Sequence, residues 1–248
     1  MSPHAPQTSQ KLTEGTPVPK ASEELPRGEQ KVKAVTSMFD AIAPRYDLVN
    51  RVMTFGMDSG WRRRTVDELR LLEGSLVLDV ACGTGDLCRE LRKSKLRAVG
   101  LDMSAGMLAV ARTTAPLVLA DALNLPVPDG SADGITCGFA LRNVKSLEEL
   151  FTEFARVLRP GGRVSLLEVA EPNARILKLG HKIYFHKVVP LIGGLISDRS
   201  AYSYLPRSAA YLPPPDELLQ LLRLSGFEGI ERTVLGLGAA QLITGTRV

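Results

Sequence analysis

Between residues 77 and 169 the chain repeats one pattern, a short apolar run followed by a stretch of helical periodicity. Val77-Leu78-Asp79-Val80 reads as a strand and 86–94 as a helix. Arg97-Ala98-Val99-Gly100-Leu101 is a second strand, and Ser104 caps a helix predicted over 104–114. Val118-Leu119-Ala120 and 132–138 follow as strands. A helix over 147–158, closed by Pro160-Gly161-Gly162, leads into a fifth strand at 163–169. Strands that alternate with helices of this length pair in parallel through right-handed crossovers, which gives a doubly wound α/β sheet. Near the C-terminus, 227–233 and 239–247 have only a short turn between them and are predicted to close the sheet as an antiparallel hairpin. A dinucleotide-binding dehydrogenase would carry further strand–helix units there instead.

Before this alternation, Met38, Phe39, Ile42, Tyr46, Val49 and Met53 recur at helical spacing. Residues 1–36 carry Pro3, Pro6, Pro17, Pro19 and Pro26 among polar residues, a composition that cannot offset its ordering entropy. They are expected to form a disordered tail, with a partner-binding arm or an expression remnant as alternatives. One domain is expected over 37–248. The segment 172–213 breaks the alternation with apolar and aromatic residues and is expected to lie over the C-terminal strand edges as a helical substrate lid.

Composition removes several classes of function. The 248 residues include 31 Lys and Arg against 27 Asp and Glu, a net charge of +4, too small for the basic stripe of a duplex DNA binder. Aromatic residues are 5%, which argues against a stacking platform for single strands. Three cysteines without CxxC spacing exclude a disulfide framework and a four-cysteine zinc site; they read as small buried residues. No apolar run reaches the length of a membrane span, and no signal peptide opens the chain. A cytoplasmic protein without nucleic-acid partners is expected.

The first strand runs into Ala81-Cys82-Gly83-Thr84-Gly85-Asp86. Gly83 and Gly85 permit a sharp bend and close approach of a ligand to the backbone. A dinucleotide fingerprint would place a third glycine where Cys88 stands, and Asp86 at the following helix N-terminus would repel a pyrophosphate. A cofactor without phosphates fits better. Asp102 ends the second strand seventeen residues after Gly85, placed to accept from ribose hydroxyls, with Met103 beside it. Asp121-Ala122 follows the third strand, where a carboxylate can accept from an adenine amino group.

The glycine pair with Asp79, Asp102 and Asp121 in order resembles the class I S-adenosylmethionine-dependent methyltransferases, a Rossmann-like fold with a mainly parallel seven-stranded sheet. The cofactor contacts this implies are Tyr46, Asp79, Ala81, Cys82, Gly83, Thr84, Gly85, Asp102, Met103, Asp121, Ala122 and Gly138, with S-adenosylhomocysteine as product. Residues 39–64, from Phe39-Asp40-Ala41 through Tyr46-Asp47-Leu48-Val49-Asn50 to Trp61-Arg62-Arg63, are similar to the signature of the ubiquinone/menaquinone-biosynthesis C-methyltransferases (UbiE/MenG). Phe139-Ala140-Leu141-Arg142-Asn143-Val144, Arg156 to Gly162 with Glu168, Ser203-Tyr204-Leu205 and Gly226-Phe227 match further segments of that family. Two departures stand out: the family often has His at Asp58 and Ser at Ala170.

The resemblance implies methylation of a ring carbon on a polyprenylated quinol, most directly demethylmenaquinol, without a metal. A tailoring methyltransferase for another hydrophobic phenol is the alternative, and a non-catalytic scaffold that keeps the fold is a second. Arg142 and Asn143 are the first catalytic candidates; Arg142 stays protonated and suits a phenolate better than a base role. Tyr184, His186 and Tyr202 are alternative proton acceptors from the lid. Tyr46, Asp47 and Asn50 share a helix face and are expected to close over the methionine end of the cofactor. Arg175, Lys178 and Lys182 fall on one side of a helix whose other side is apolar, and Trp61-Arg62-Arg63-Arg64 is a second basic cluster. Both suit peripheral contact with the inner face of a membrane. A homodimer is left open.

Overall fold

A computed structural model describes residues 28–170 and 208–248. Helix α1 (Gly28–Ile42) buries Ala34, Val35, Met38 and Ile42 on one face, as helical spacing requires. It begins at Gly28, so residues 28–36, which composition assigns to a disordered tail, are helical. The reason is local: from residue 29 to 43 the chain has no glycine or proline, and Val32, Ala34 and Val35 extend the apolar face of Met38 and Ile42. Helices α2 (Tyr46–Met53) and α3 (Met57–Asp67) follow, joined by a turn in which Phe55 and Gly56 both have positive φ.

The sheet then alternates with helices: β1 (Leu76–Val80), α4 (Asp86–Lys93), β2 (Arg97–Asp102), α5 (Ala105–Ala109), β3 (Leu117–Leu119), β4 (Ala132–Gly138), α6 (Leu147–Val157) and β5 (Leu158–Val169). Helix α7 (Pro215–Leu224) and the strands β6 (Phe227–Leu235) and β7 (Ala240–Arg247) complete it. The strand order is β3-β2-β1-β4-β5-β7-β6, with β7 antiparallel to both neighbours and the rest parallel. The order reverses at β1, between β2 and β4, and ligands of open α/β sheets bind beyond the strand ends at such a point. Buried Leu78, Ile135, Leu166 and Ile243 on the sheet pack with Phe151 and Phe154 of α6 and Leu218 and Leu222 of α7.

Two further elements differ from the expectation. The helix predicted over 104–114 stops at Ala109, although Ser104 caps it by accepting from the Met107 amide. Pro116 disfavours helix before it, and the chain is drawn to the glycine loop, where the Arg112 amide donates to the Thr84 carbonyl at 3.0 Å. Strand β5 starts at Leu158 rather than 163, because the Pro160-Gly161-Gly162 turn is absorbed by a register break opposite Ala132 and Gly134. Among the described residues no helix is long and apolar enough to cross a membrane. The lid expected at 172–213 lies outside the described residues except for 208–213.

Candidate active site: two cavities at the switch point of the sheet

The loop after β1 is held in an unusual shape. Ala81 takes φ +56° and Gly85 φ +82°, and Phe139, directly after β4, takes φ +58°. A non-glycine residue in this region carries strain of roughly 1–3 kcal/mol, and two of them flank the same opening. A Cβ on Gly85 would lie 2.8 Å from Thr113 Cγ2, so glycine is required there for space as well as for φ.

These turns enclose a cavity of about 350 Å³. Ala81, Gly83, Asp102, Met103, Asp121, Ala122 and Gly138 line it from the strand ends, Tyr46 from α2, Asn143 from the turn after β4, and Val32, Val35 and Phe39 from α1. Helix α1, unread as a site element in the sequence, is therefore the cover. It is tied down at both ends. Lys31 Nζ donates to the Val144 carbonyl at 2.7 Å and sits 3.8 Å from the Tyr211 ring centre, while Asp40 accepts from the Ser104 hydroxyl and the Gly106 amide. Burial lowers the Lys31 pKa to about 8.

Asp102 accepts from the Gly83 amide at 2.7 Å and from the Ser104 amide at 2.8 Å. Burial raises its pKa, against the pull of those amides. Each oxygen keeps a further lone pair, so Asp102 both fixes the loop and can accept from a diol in the cavity. Asp121 is exposed at the far end, accepting from the Leu123 amide at 2.9 Å.

Four expected cofactor residues do not line this cavity. Asp79 is wholly buried beneath the loop, accepting from Thr136 Oγ1 at 2.9 Å and Cys88 Sγ at 3.3 Å. Cys82 points into the α4 side of the core, Thr84 Oγ1 donates to Asp47 at 2.5 Å, and Gly85 packs on Thr113. They shape the loop from behind. All three cysteines are buried and free; hydrogen bonding with the neighbouring Cys82 thiol, then burial, push the Cys88 thiol far up, and burial does the same to Cys137. Among the described residues no group of His, Cys, Asp and Glu is arranged to hold a metal ion.

A second cavity of about 180 Å³ abuts the first, since Tyr46 and Phe139 line both. Its wall is largely apolar, with Met53, Phe55, Met57, Trp61, Val169 and Ala239, and it receives Asn50, Asp58, Arg62 and Arg142. Burial raises the Tyr46 phenol, opposed by Asn50 and by the Arg62 and Arg142 charges. Arg142 is buried and locked: it pairs with fully buried Glu168, donates to the Phe139 carbonyl at 2.7 Å, and lies 3.2 Å from Ser208 Oγ through Nε. Its neighbour Asn143 faces the first cavity instead, 3.4 Å from the Phe139 carbonyl. Tyr184, His186 and Tyr202 lie outside the described residues.

Sequence reasoning placed Arg62 in a basic cluster suited to a membrane surface and left the role of Asp58 open; Arg62 is instead buried, at 7% exposure. Arg62 pairs with Asp58 on its own helix and with Asp86 of α4 at 2.9 Å, and its guanidinium carbon is 5.9 Å from the Phe139 ring centre. Burial disfavours its charge, but Asp86 and Asp58 outweigh that and raise its pKa. Asp86, at the N-terminus of α4, thus joins two arginines, because Arg89 pairs with it too. The i, i+4 spacing of Asp58 and Arg62 was the available signal.

Comparison with known proteins agrees with this geometry. Residues 26–247 match the profile of the ubiE/COQ5 methyltransferase family. A demethylmenaquinone methyltransferase of Roseiflexus castenholzii is 44% identical over 90% of this chain and 97% of its own. The ubiquinone/menaquinone biosynthesis C-methyltransferase UbiE of Geobacter sulfurreducens is 37% identical over 88% and 90%. Among solved structures, a methyltransferase of Thermotoga maritima described as S-adenosylmethionine-dependent matches with a TM-score of 0.60 at 18% identity, covering 86% of this chain and 99% of that one. A Haemonchus contortus phosphoethanolamine N-methyltransferase in complex with S-adenosyl-L-methionine matches at 0.58 and 14% identity, covering 84% and 60%. At such identities they speak for the fold alone. The class I methyltransferase fold and the family read from residues 39–64 and 139–168 are both borne out.

Proposed function

The chain belongs to the ubiE/COQ5 methyltransferase family, and from that premise we propose that it transfers a methyl group from S-adenosylmethionine to a ring carbon of a prenylated quinol, demethylmenaquinol in the first instance. The observation that carries this reading is the pair of abutting cavities, one walled by strand-end carboxylates and the other by apolar and aromatic side chains, with Tyr46 and Phe139 common to both.

When bound, the cofactor supplies an electrophilic methyl carbon on a sulfonium. Asp102 would accept from its ribose hydroxyls and Asp121 with Ala122 would bound its adenine, while Gly83 lets the backbone approach. The residues fit that group: α1 lines the cavity opposite the strand ends, and Asp102 offers paired acceptor oxygens to a diol. The second cavity holds the aromatic head group. Apolar walls exclude water there, and Tyr46 and Phe139 hold the ring against the methyl donor, so that reacting atoms meet in line. A prenyl chain leaves this pocket for solvent or lipid, which makes contact with a membrane surface part of the proposal.

Calorimetry tests the first cavity. S-adenosylmethionine is expected to bind and NAD not to, with Asp102→Asn weakening the cofactor; the opposite preference would refute the assignment. A protein that methylates a soluble phenol or an RNA, and no quinol, would refute the substrate class.

A further inference from the structure

Among the described residues Asp58 is the one carboxylate that lines the second cavity, and it is 4% exposed. Its oxygens are only half committed. Thr54 Oγ1 lies 2.9 Å from Oδ1, and Arg62 pairs with Oδ2. A carboxylate offers about four acceptor positions, so both oxygens retain a lone pair beside the ring site. The other charged groups cancel one another: Arg62 is shared between Asp58 and Asp86, Asp86 also holds Arg89, and Arg142 is neutralised by Glu168. Among the described residues the polar wall therefore offers no uncommitted cation to a preformed phenolate. It offers an acceptor to a neutral hydroxyl.

We propose that Asp58 is a catalytic residue, accepting the proton of the substrate hydroxyl next to the reacting ring carbon. This rests on the quinol reading above. A phenol, with a pKa near 10, is too weak an acid to ionise fully to a carboxylate beforehand. The difficulty disappears during the reaction. As the ring carbon bonds to the methyl carbon and the carbon–sulfur electrons pass to sulfur, the ring becomes cationic and its hydroxyl strongly acidic. The O–H bond then breaks toward Asp58, leaving a neutral dienone. Loss of the ring C–H proton to water returns that electron pair to the ring, and Asp58 gives its proton back to the resulting phenolate oxygen. The balance is one methyl gained and one ring proton released. Arg62, held by Asp86, is a positioning residue that orients Asp58. Among the described residues Thr54 and Arg62 contact Asp58, Tyr46 and Arg142 line the same cavity, and Asp86 of α4 holds Arg62.

Trp61 is the chain's only tryptophan and lines the same cavity, so its fluorescence reads occupancy apart from turnover. Under anaerobic conditions 1,4-dihydroxynaphthalene is expected to quench it more tightly than 1,4-dimethoxynaphthalene, and Asp58→Asn to erase the difference. With demethylmenaquinol, Asp58→Asn should lower kcat on the order of 10²- to 10⁴-fold and leave S-adenosylmethionine affinity unchanged. Asp58→Glu should restore part of the rate, and it serves where the Asn variant fails to fold. A kcat within threefold in either Asn or, failing that, Ala variants, or equal quenching by diol and diether in the unsubstituted protein, overturns the proposal. Failure of the quinol reading looks different: no quinol is methylated by the unsubstituted protein, while the Asp58-dependent preference for the diol persists.

Discussion

Asp79 offers a test of the site's foundation that needs no ligand. Its carboxyl is wholly buried in β1, beneath the cofactor loop, and burial raises its pKa from 3.8 to about 7. Thr136 and Cys88 donate to it, and these bonds only partly oppose the shift. The sign follows from linkage. A folded carboxyl that holds its proton more tightly than the unfolded one favours the folded state below the unfolded pKa. That advantage is lost as pH rises from about 4 to about 7 and is then fully gone. A shift of about three units corresponds to about 4 kcal/mol, lost at about 1.4 kcal/mol per pH unit. Asp79→Asn keeps an acceptor for Thr136 and removes the ionisation. In urea titrations followed by circular dichroism, the Asn variant should match the parent within about 1 kcal/mol near pH 4. It should gain steadily on the parent to pH 7 and stay ahead above it, by about 4 kcal/mol, or roughly 8–16 °C in Tm for a chain of this size. A stability difference constant from pH 4 to pH 8 would refute the reasoning.

Two further substitutions follow from the geometry. Removing one partner of the buried Arg142–Glu168 pair strands a charge, so Glu168→Ala should cost about 3–5 kcal/mol in urea denaturation, whereas the double variant Arg142→Met/Glu168→Leu should recover most of it; equal losses in single and double variants would deny the pairing. Gly85→Ala forces a side chain into the left-handed region and onto Thr113, and should cost about 1–2 kcal/mol or more, with weaker S-adenosylmethionine binding by calorimetry; an unchanged Kd would show that the loop tolerates another shape.

The alternation of strands and helices, the parallel pairing of its strands and the antiparallel hairpin were legible because each rests on local periodicity and short connections. The loop glycines and the strand-end acids Asp102 and Asp121 were legible for the same reason: their places follow from where strands end. What escaped depended on packing between distant segments. Nothing local says that Arg112 is drawn back to Thr84, which stops α5 early. The polar composition around Pro26 hid a helix whose apolar face only acquires meaning once it covers a cavity. Asp79 reads like a cofactor acid by position, yet the inward face of β1 buries it. Arg62 and Asp58 look like any i, i+4 pair on a surface helix until α4 brings Asp86 against them.

The account's central claim is that the two cavities hold a methyl donor and an aromatic ring for transfer to carbon. Incubating the protein with trideuteromethyl-labelled S-adenosylmethionine and demethylmenaquinol, then analysing the quinone by mass spectrometry and proton NMR, tests it directly. The account predicts a label on ring carbon with loss of the ring proton. A label on oxygen, or a quinol recovered unlabelled while S-adenosylmethionine remains bound, would contradict it.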